Sequence, residues 1–191
     1  MTTTDQGVAR NRFVDVFGYP SGGAVTKLKD HLTDYVQEFI KNAPFAVVAS
    51  SDASGQCDAS PKGGKPGFVL VLDDKHLLFP DVAGNKLFQT YQNVESNNHI
   101  GLVFMIPGVN DTVRVNGTVT IMDKTELDRR KVELSLYELD DRSNYLQGML
   151  IEVVEAYPHC PRAFKFSRLW NTDEISANQE DRPVPLRIPG T

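Results

Sequence analysis

Two periods of apolar residues divide this chain. Before residue 45, Leu28, Leu32, Tyr35, Val36, Phe39 and Ile40 recur at helical spacing on one face. This predicts a helix over 25–41 that Asn42-Ala43-Pro44 stops. From Phe45 the period changes to two. A strand over 45–50 leads into the turn Asp52-Ala53-Ser54-Gly55, and a short strand over 56–60 follows. Residues 61–67, with three glycines and two prolines, read as a loop. Strands over 68–72 and 76–79 flank Asp73-Asp74-Lys75 as a hairpin. Residues 84–97 read as a helix with Leu87, Phe88, Tyr91 and Val94 on one side. Strands over 100–106 and 112–122 flank a second hairpin turn. Asp123 or Thr125 caps a helix reaching 134. A last long strand covers 149–157, and Pro161 opens a short helix to 170. The Gly-rich residues 1–24 form an extended arm. The tail 171–191, with Pro183, Pro185 and Pro189, is read as extended.

Six or seven hairpin-linked strands with helices between them make a mainly β protein with peripheral helices. The run Phe68-Val69-Leu70-Val71-Leu72 is apolar on both faces. Antiparallel strands of that kind suit a barrel covered by helices or by a partner chain. The regular βαβ alternation of a doubly wound sheet is missing.

At 191 residues the chain suits one domain, here 25–170, with a core large enough to need no staples. Twenty basic and 25 acidic residues leave a formal net charge of −5. That balance argues against a general nucleic-acid or anionic-membrane binder. No apolar run approaches the roughly 20 residues of a membrane span. The N-terminus has no apolar core of a signal peptide. Cys57 and Cys160 form no CxxC. The expectation is two reduced thiols in a cytoplasmic protein.

Candidate chemistry is narrow. There is no GxSxG, and the four histidines show no metal-ligand spacing. Neither a Walker sequence nor GxGxxG is present. Three basic residues sit where a phosphate could bind. Lys62 lies in a Gly-rich stretch, Lys86 follows Gly84-Asn85 at a helix start, and Arg114 stands between two valines of a strand. A lysine at a helix start opposes the helix dipole, a conflict that a bound anion removes. An arginine within an apolar strand needs a carboxylate or a ligand phosphate. Convergence of the three would make a phosphate site; each alone reads as a solvated or paired charge.

The segments CDASPKGGKPGFVLVLDDKHLLFPDVAGNK, IGLVFMIPGVNDTVRVNG and HCPRAFKFSRLW occur in this order. Together they resemble the pyridoxamine 5′-phosphate oxidase-like flavoproteins, in particular a branch of FMN-dependent enzymes of unassigned substrate. The resemblance covers about 45–170. It implies an FMN-binding split β-barrel that forms a homodimer, with flavin sites between the subunits. It implies that Ser60 and Lys62 run alongside the flavin and its phosphate, and that Phe79 and Pro80 face the ring. Gly84, Asn85 and Lys86 match a phosphate-gripping stretch of which only the lysine is retained. Thr112 and Arg114 match a Gln and an Arg of the oxidase. Arg162 replaces a lysine common in the branch, and Trp170 matches a tryptophan reaching the partner's flavin. The Pro-rich tail from Arg182 departs from the oxidase segment that binds pyridoxal phosphate, which argues against that substrate. The resemblance thus implies an FMN-dependent oxidoreductase acting on a small molecule. The alternatives are a flavin carrier or sensor without turnover, or a split barrel using haem or a deazaflavin. A haem would need an axial ligand, for which His159 is the candidate.

Overall fold

The computed structural model describes residues 12–82, 87–139 and 143–186. The predicted site residues Gly84, Asn85 and Lys86 lie outside them. Two short helices, α1 (Arg12–Phe17) and α2 (Gly23–Thr26), occupy part of the expected extended arm. The predicted helix over 25–41 is broken. Its second half is α3 (Asp34–Asn42), which Thr33 caps by accepting from the Val36 amide at 3.4 Å. Between α2 and α3, Lys29 exchanges two backbone hydrogen bonds with Ala156. That exchange satisfies the side of the strand Tyr145–His159 away from Thr112–Asp123, which the ladder with His76–Val82 leaves open beyond Glu152, and it overrides the helical period. Leu28 is accordingly half exposed, while Leu32, Val36, Phe39 and Ile40 are buried.

Seven antiparallel strands follow. They are β1 (Phe45–Ser51), β2 (Cys57–Gly63), β3 (Leu70–Val71), β4 (His76–Val82), β5 (His99–Met105), β6 (Thr112–Asp123) and β7 (Tyr145–His159). The sheet order is β2-β1-β5-β6-β7-β4-β3. The β1–β2 turn is held by Asp52, whose Oδ1 accepts from the Ser54 and Gln56 amides at 2.8 and 2.9 Å. β2 continues through Pro61, Lys62 and Gly63, which the composition had marked as loop. Proline is tolerated there because β2 is an edge strand, so its missing N–H breaks no ladder. β3 keeps only two of the five predicted strand residues, and Phe68 and Val69 are buried without pairing.

The remaining helices differ from expectation chiefly at their ends. α4 (Gln89–Ser96) starts five residues late, so Leu87 and Phe88 are exposed rather than part of its buried face. α5 (Lys124–Arg129) is capped by Asp123, which accepts from the Glu126 amide at 2.9 Å, and it stops short of 134. α6 (Arg162–Ser167) has Pro161 as its N-cap rather than its first residue. The tail is not extended over its first half: α7 (Thr172–Glu180) forms there. The Asn171 side chain caps it, and Asp173 and Glu174 complement its dipole.

The core lies on the concave face of the sheet. Ala46, Leu77, Phe79, Leu102, Phe104, Val113 and Ile151 pack there beneath Val36 and Ile40 of α3. A smaller cluster of Leu78, Met122 and Leu127 seats α5. Strands β6 and β7 shift register at Asn116/Gly117, where a Cβ on Gly117 would run into the Glu152 carbonyl.

Candidate functional site

The two ends of the sheet face each other across a groove. β2 is one edge strand and β4 lies next to the other edge. No ladder joins them, yet Lys62 Nζ on β2 reaches Asp81 Oδ1 on β4 at 2.8 Å. The pair is largely shielded, with the two side chains 22% and 16% exposed. Two cavities of about 190 and 240 Å3 open on either side of it and share Pro61, Lys62, Asp81 and Val82. The first is walled by Asp58, Ser60 and the start of α4. The second is walled by Phe68, Phe79, Pro80 and Tyr145. Four predicted residues, Ser60, Lys62, Phe79 and Pro80, therefore line one groove.

The first cavity has two further features. α4 begins at Phe88 in a left-handed conformation (φ 54°), and no side chain caps its first amides. Uncapped amides at a helix start attract anions. The second feature is the Tyr91 hydroxyl. Tyr91 is 5% exposed, and its hydroxyl has no hydrogen-bond partner among the described residues. Burial, and then the nearby Asp81 carboxylate, push its phenol well above the ordinary tyrosine range. Behind it, buried Asn93 donates to Ser50 Oγ at 3.0 Å and to Asp58 Oδ2 at 2.8 Å. These bonds fix α4 against β1 and β2.

The predicted convergence of cations is not met within one chain. Lys62 shares a cross-strand row with Ala46, Phe104 and Val113, all fully buried, so it faces inward. The next row is Pro61, Val47, Val103, Arg114 and Tyr157, which faces outward. One residue of register thus puts Lys62 and Arg114 on opposite faces of the sheet. Arg114 has no carboxylate partner among the described residues. Its Nε donates to Asn116 Oδ1 at 3.3 Å, and its guanidinium lies 6.0 Å from the Tyr157 ring centroid. It borders a shallow outer cavity of about 390 Å3 with Asn116, Cys57 and His99.

Other predicted residues lie outside the groove lining. Thr112 is buried opposite His159. Arg162 is exposed over the Phe166 ring, 5.0 Å from its centroid. Trp170 Nε1 donates to the Val109 carbonyl at 3.0 Å, and its ring stacks on Phe164 at 5.6 Å. The tryptophan ties the C-terminal helices to its own β5–β6 turn. Sequence reasoning missed Asp81 and Tyr91. Asp81 followed the expected strand end, and Tyr91 was read only as part of an apolar helix face. An acidic residue directly after Phe79-Pro80 was the available signal. Both cysteines are free and exposed. Among the described residues no three His, Cys, Asp or Glu side chains cluster as metal ligands, and no helix is long and apolar enough to cross a membrane.

No curated protein matches the chain. The solved structures that share its fold include two of bacterial origin. One is a HupZ variant from Group A Streptococcus, 21% identical over 67% of this chain and 99% of its own, with a TM-score of 0.50. The other is a Lactobacillus delbrueckii protein named for the pyridoxamine 5′-phosphate oxidases. It is 21% identical over 69% of this chain and 98% of its own, with a TM-score of 0.51. The sequence model of the pyridoxamine 5′-phosphate oxidases matches residues 32–157, which span β1 through nearly all of β7. With that match over most of the strands and a sheet that curls into the same split β-barrel, the chain belongs to the pyridoxamine 5′-phosphate oxidase family.

Proposed function

We propose that this protein is an FMN-binding flavoprotein, an FMN-dependent oxidoreductase acting on a small molecule, and that it works as a homodimer with two flavin sites between subunits. The carrying observation is the groove between β2 and β4, with Lys62 and the uncapped start of α4 on one cavity. These are donors of the kind a phosphomonoester needs.

The same groove is incomplete in one chain. Each cavity falls below the roughly 300–1,000 Å3 of ordinary ligand pockets. Its described ionised walls are one lysine against Asp58 and Asp81. A dianionic phosphate calls for further positive charge. Arg114, with no carboxylate partner among the described residues, is suited to supply it to a second copy's groove. Lys86, beside Gly84 and Asn85, is assigned a second phosphate contact, and Thr112, on the Arg114 strand, a neutral hydrogen bond to the cofactor. Arg162 and Trp170 are assigned to the partner's site as well.

FMN, when bound, supplies the electron-transfer chemistry at its ring. This chain's residues bind and orient. Phe79 and Pro80 form an apolar wall, Ser60 offers a hydroxyl, and Lys62 offers a charge. No histidine lines either groove cavity among the described residues, which disfavours an axially ligated haem there. The test is an absorbance spectrum of the purified protein, an FMN titration and a sedimentation measurement. Flavin bands or micromolar binding by a dimer support the reading. A colourless protein that ignores FMN overturns it. Turnover with a nicotinamide donor above the rate of free FMN separates an oxidoreductase from a carrier.

A further inference from the structure

Lys62, the groove's inward cation, is already occupied. Its ammonium is held by Asp81, and the pair is shielded enough that neither charge is readily taken up by solvent. Any anion that reaches Lys62 must therefore displace a carboxylate. Displacement would leave Asp81 buried and unpaired, which is strongly unfavourable unless a donor receives it. One donor stands beside it. Tyr91 lines the same cavity and is 5% exposed, and its hydroxyl stands close to the Asp81 carboxylate without completing a hydrogen bond to any described residue. A buried hydroxyl without a partner is a cost, and a carboxylate that moved to it would offset that cost.

We propose that Asp81 is an internal competitor for Lys62 that limits the preference for phosphorylated over unphosphorylated ligand. When a phosphomonoester takes Lys62 and the amides at the start of α4, Asp81 passes to the Tyr91 hydroxyl. The inference rests on the flavin reading above and adds to it the residues that decide between FMN and riboflavin. No bond to hydrogen changes hands. Lys62 exchanges a carboxylate for a phosphate, and the carboxylate gains a neutral donor. The exchange makes the groove penalise a ligand without an anion less than one that must break the pair. FMN affinity is thus held below what Lys62 alone would provide.

The experiment measures dissociation constants for FMN and riboflavin in the dimeric wild type, Asp81→Asn and Tyr91→Phe. Asp81→Asn removes the competing charge and keeps the shape. It is expected to tighten FMN about tenfold and to leave riboflavin unchanged. Tyr91→Phe removes the receiving hydroxyl. It is expected to weaken FMN several-fold and to spare riboflavin, because only FMN displaces Asp81. If Asp81→Asn does not fold, Asp81→Ser carries the same expectation. Wild type that binds neither flavin overturns the flavin reading. Wild type that binds FMN, with an unchanged FMN-to-riboflavin ratio in the Asp81 variant, overturns the exchange alone. A Tyr91→Phe variant that loses both flavins equally assigns the tyrosine to packing and also overturns it.

Discussion

Lys62 and Asp81 meet at 2.8 Å although their strands stand first and sixth in a seven-strand order. A flat sheet would keep strands that far apart at more than 20 Å, at roughly 4.8 Å per step. The ion pair therefore marks where the sheet has curled far enough for its ends to face each other without joining. It also marks the centre of the groove assigned to the ligand.

Removing the lysine should affect binding and stability together. Lys62→Ala leaves the largely shielded Asp81 without its cation, and the expected destabilisation is about 1–2 kcal/mol in urea unfolding. The double variant Lys62→Ala with Asp81→Ala should recover most of that loss, because no unpaired charge remains. FMN retention should fall in both. An unchanged dissociation constant in Lys62→Ala and also in Arg114→Ala would remove both residues from the site.

Arg114 tests the two-chain site. Lys62 faces inward and Arg114 outward, so one flavin can use both only if they come from different chains. Each variant alone should lose FMN at both sites. Mixing Lys62→Ala with Arg114→Ala subunits should yield mixed dimers with one intact site each, half the wild-type flavin load per mixed dimer and about a quarter of it in an equal statistical mixture. Mixed dimers with no recovered flavin would count against donation across the interface.

Asp30 makes one edge of the fold sensitive to acid. Its carboxylate bonds to His31 at 2.9 Å and to Lys75 at 3.0 Å, and these contacts lower its pKa from 3.8 to about 2. A carboxyl depressed on folding stabilises the protein above its unfolded pKa, and that contribution is lost as pH falls through the folded value. The difference in melting temperature between wild type and Asp30→Asn should be full above pH 3.8 and vanish near pH 2. A difference independent of pH would assign Asp30 a role other than charge.

Gly117 should tolerate no side chain. Gly117→Ala would force a Cβ against the Glu152 carbonyl and the Ile151 side chain, neither of which can retreat within the paired strands. The expected loss is about 1–3 kcal/mol, read as a lowered melting temperature. Gly108→Ala, where a Cβ meets nothing within 4 Å, is strained only through its positive φ and should cost less.

The alternation of apolar residues was enough to reveal β1, β5, β6 and the core of β7, because each hides one face and a period of two is a local property. The capping residues Asp123 and Thr33 act locally as well, although only Asp123 was read as a cap. The resemblance identified the strands that carry Ser60, Lys62, Phe79 and Pro80, and the structure brings these four to one groove. The broken helix was not legible. Leu28 and Leu32 keep a helical interval, but the backbone between α2 and α3 is claimed by Ala156, more than 120 residues away in the chain. Nor was the extension of β2 through Pro61, since only its place at the sheet edge makes proline acceptable there.

The site divides along the same line. Residue types and order are chain properties, so the presence of Lys62 and Arg114 as candidates, and their family setting, could be read one residue at a time. Which face each one takes depends on register across β2, β1, β5 and β6, and a single-residue offset separates them. The Lys62–Asp81 pair and the unmet Tyr91 hydroxyl depend on the curvature of the whole sheet and the seating of α4 on it. Curvature sums small twists over every strand pair, so no local pattern of residues contains it.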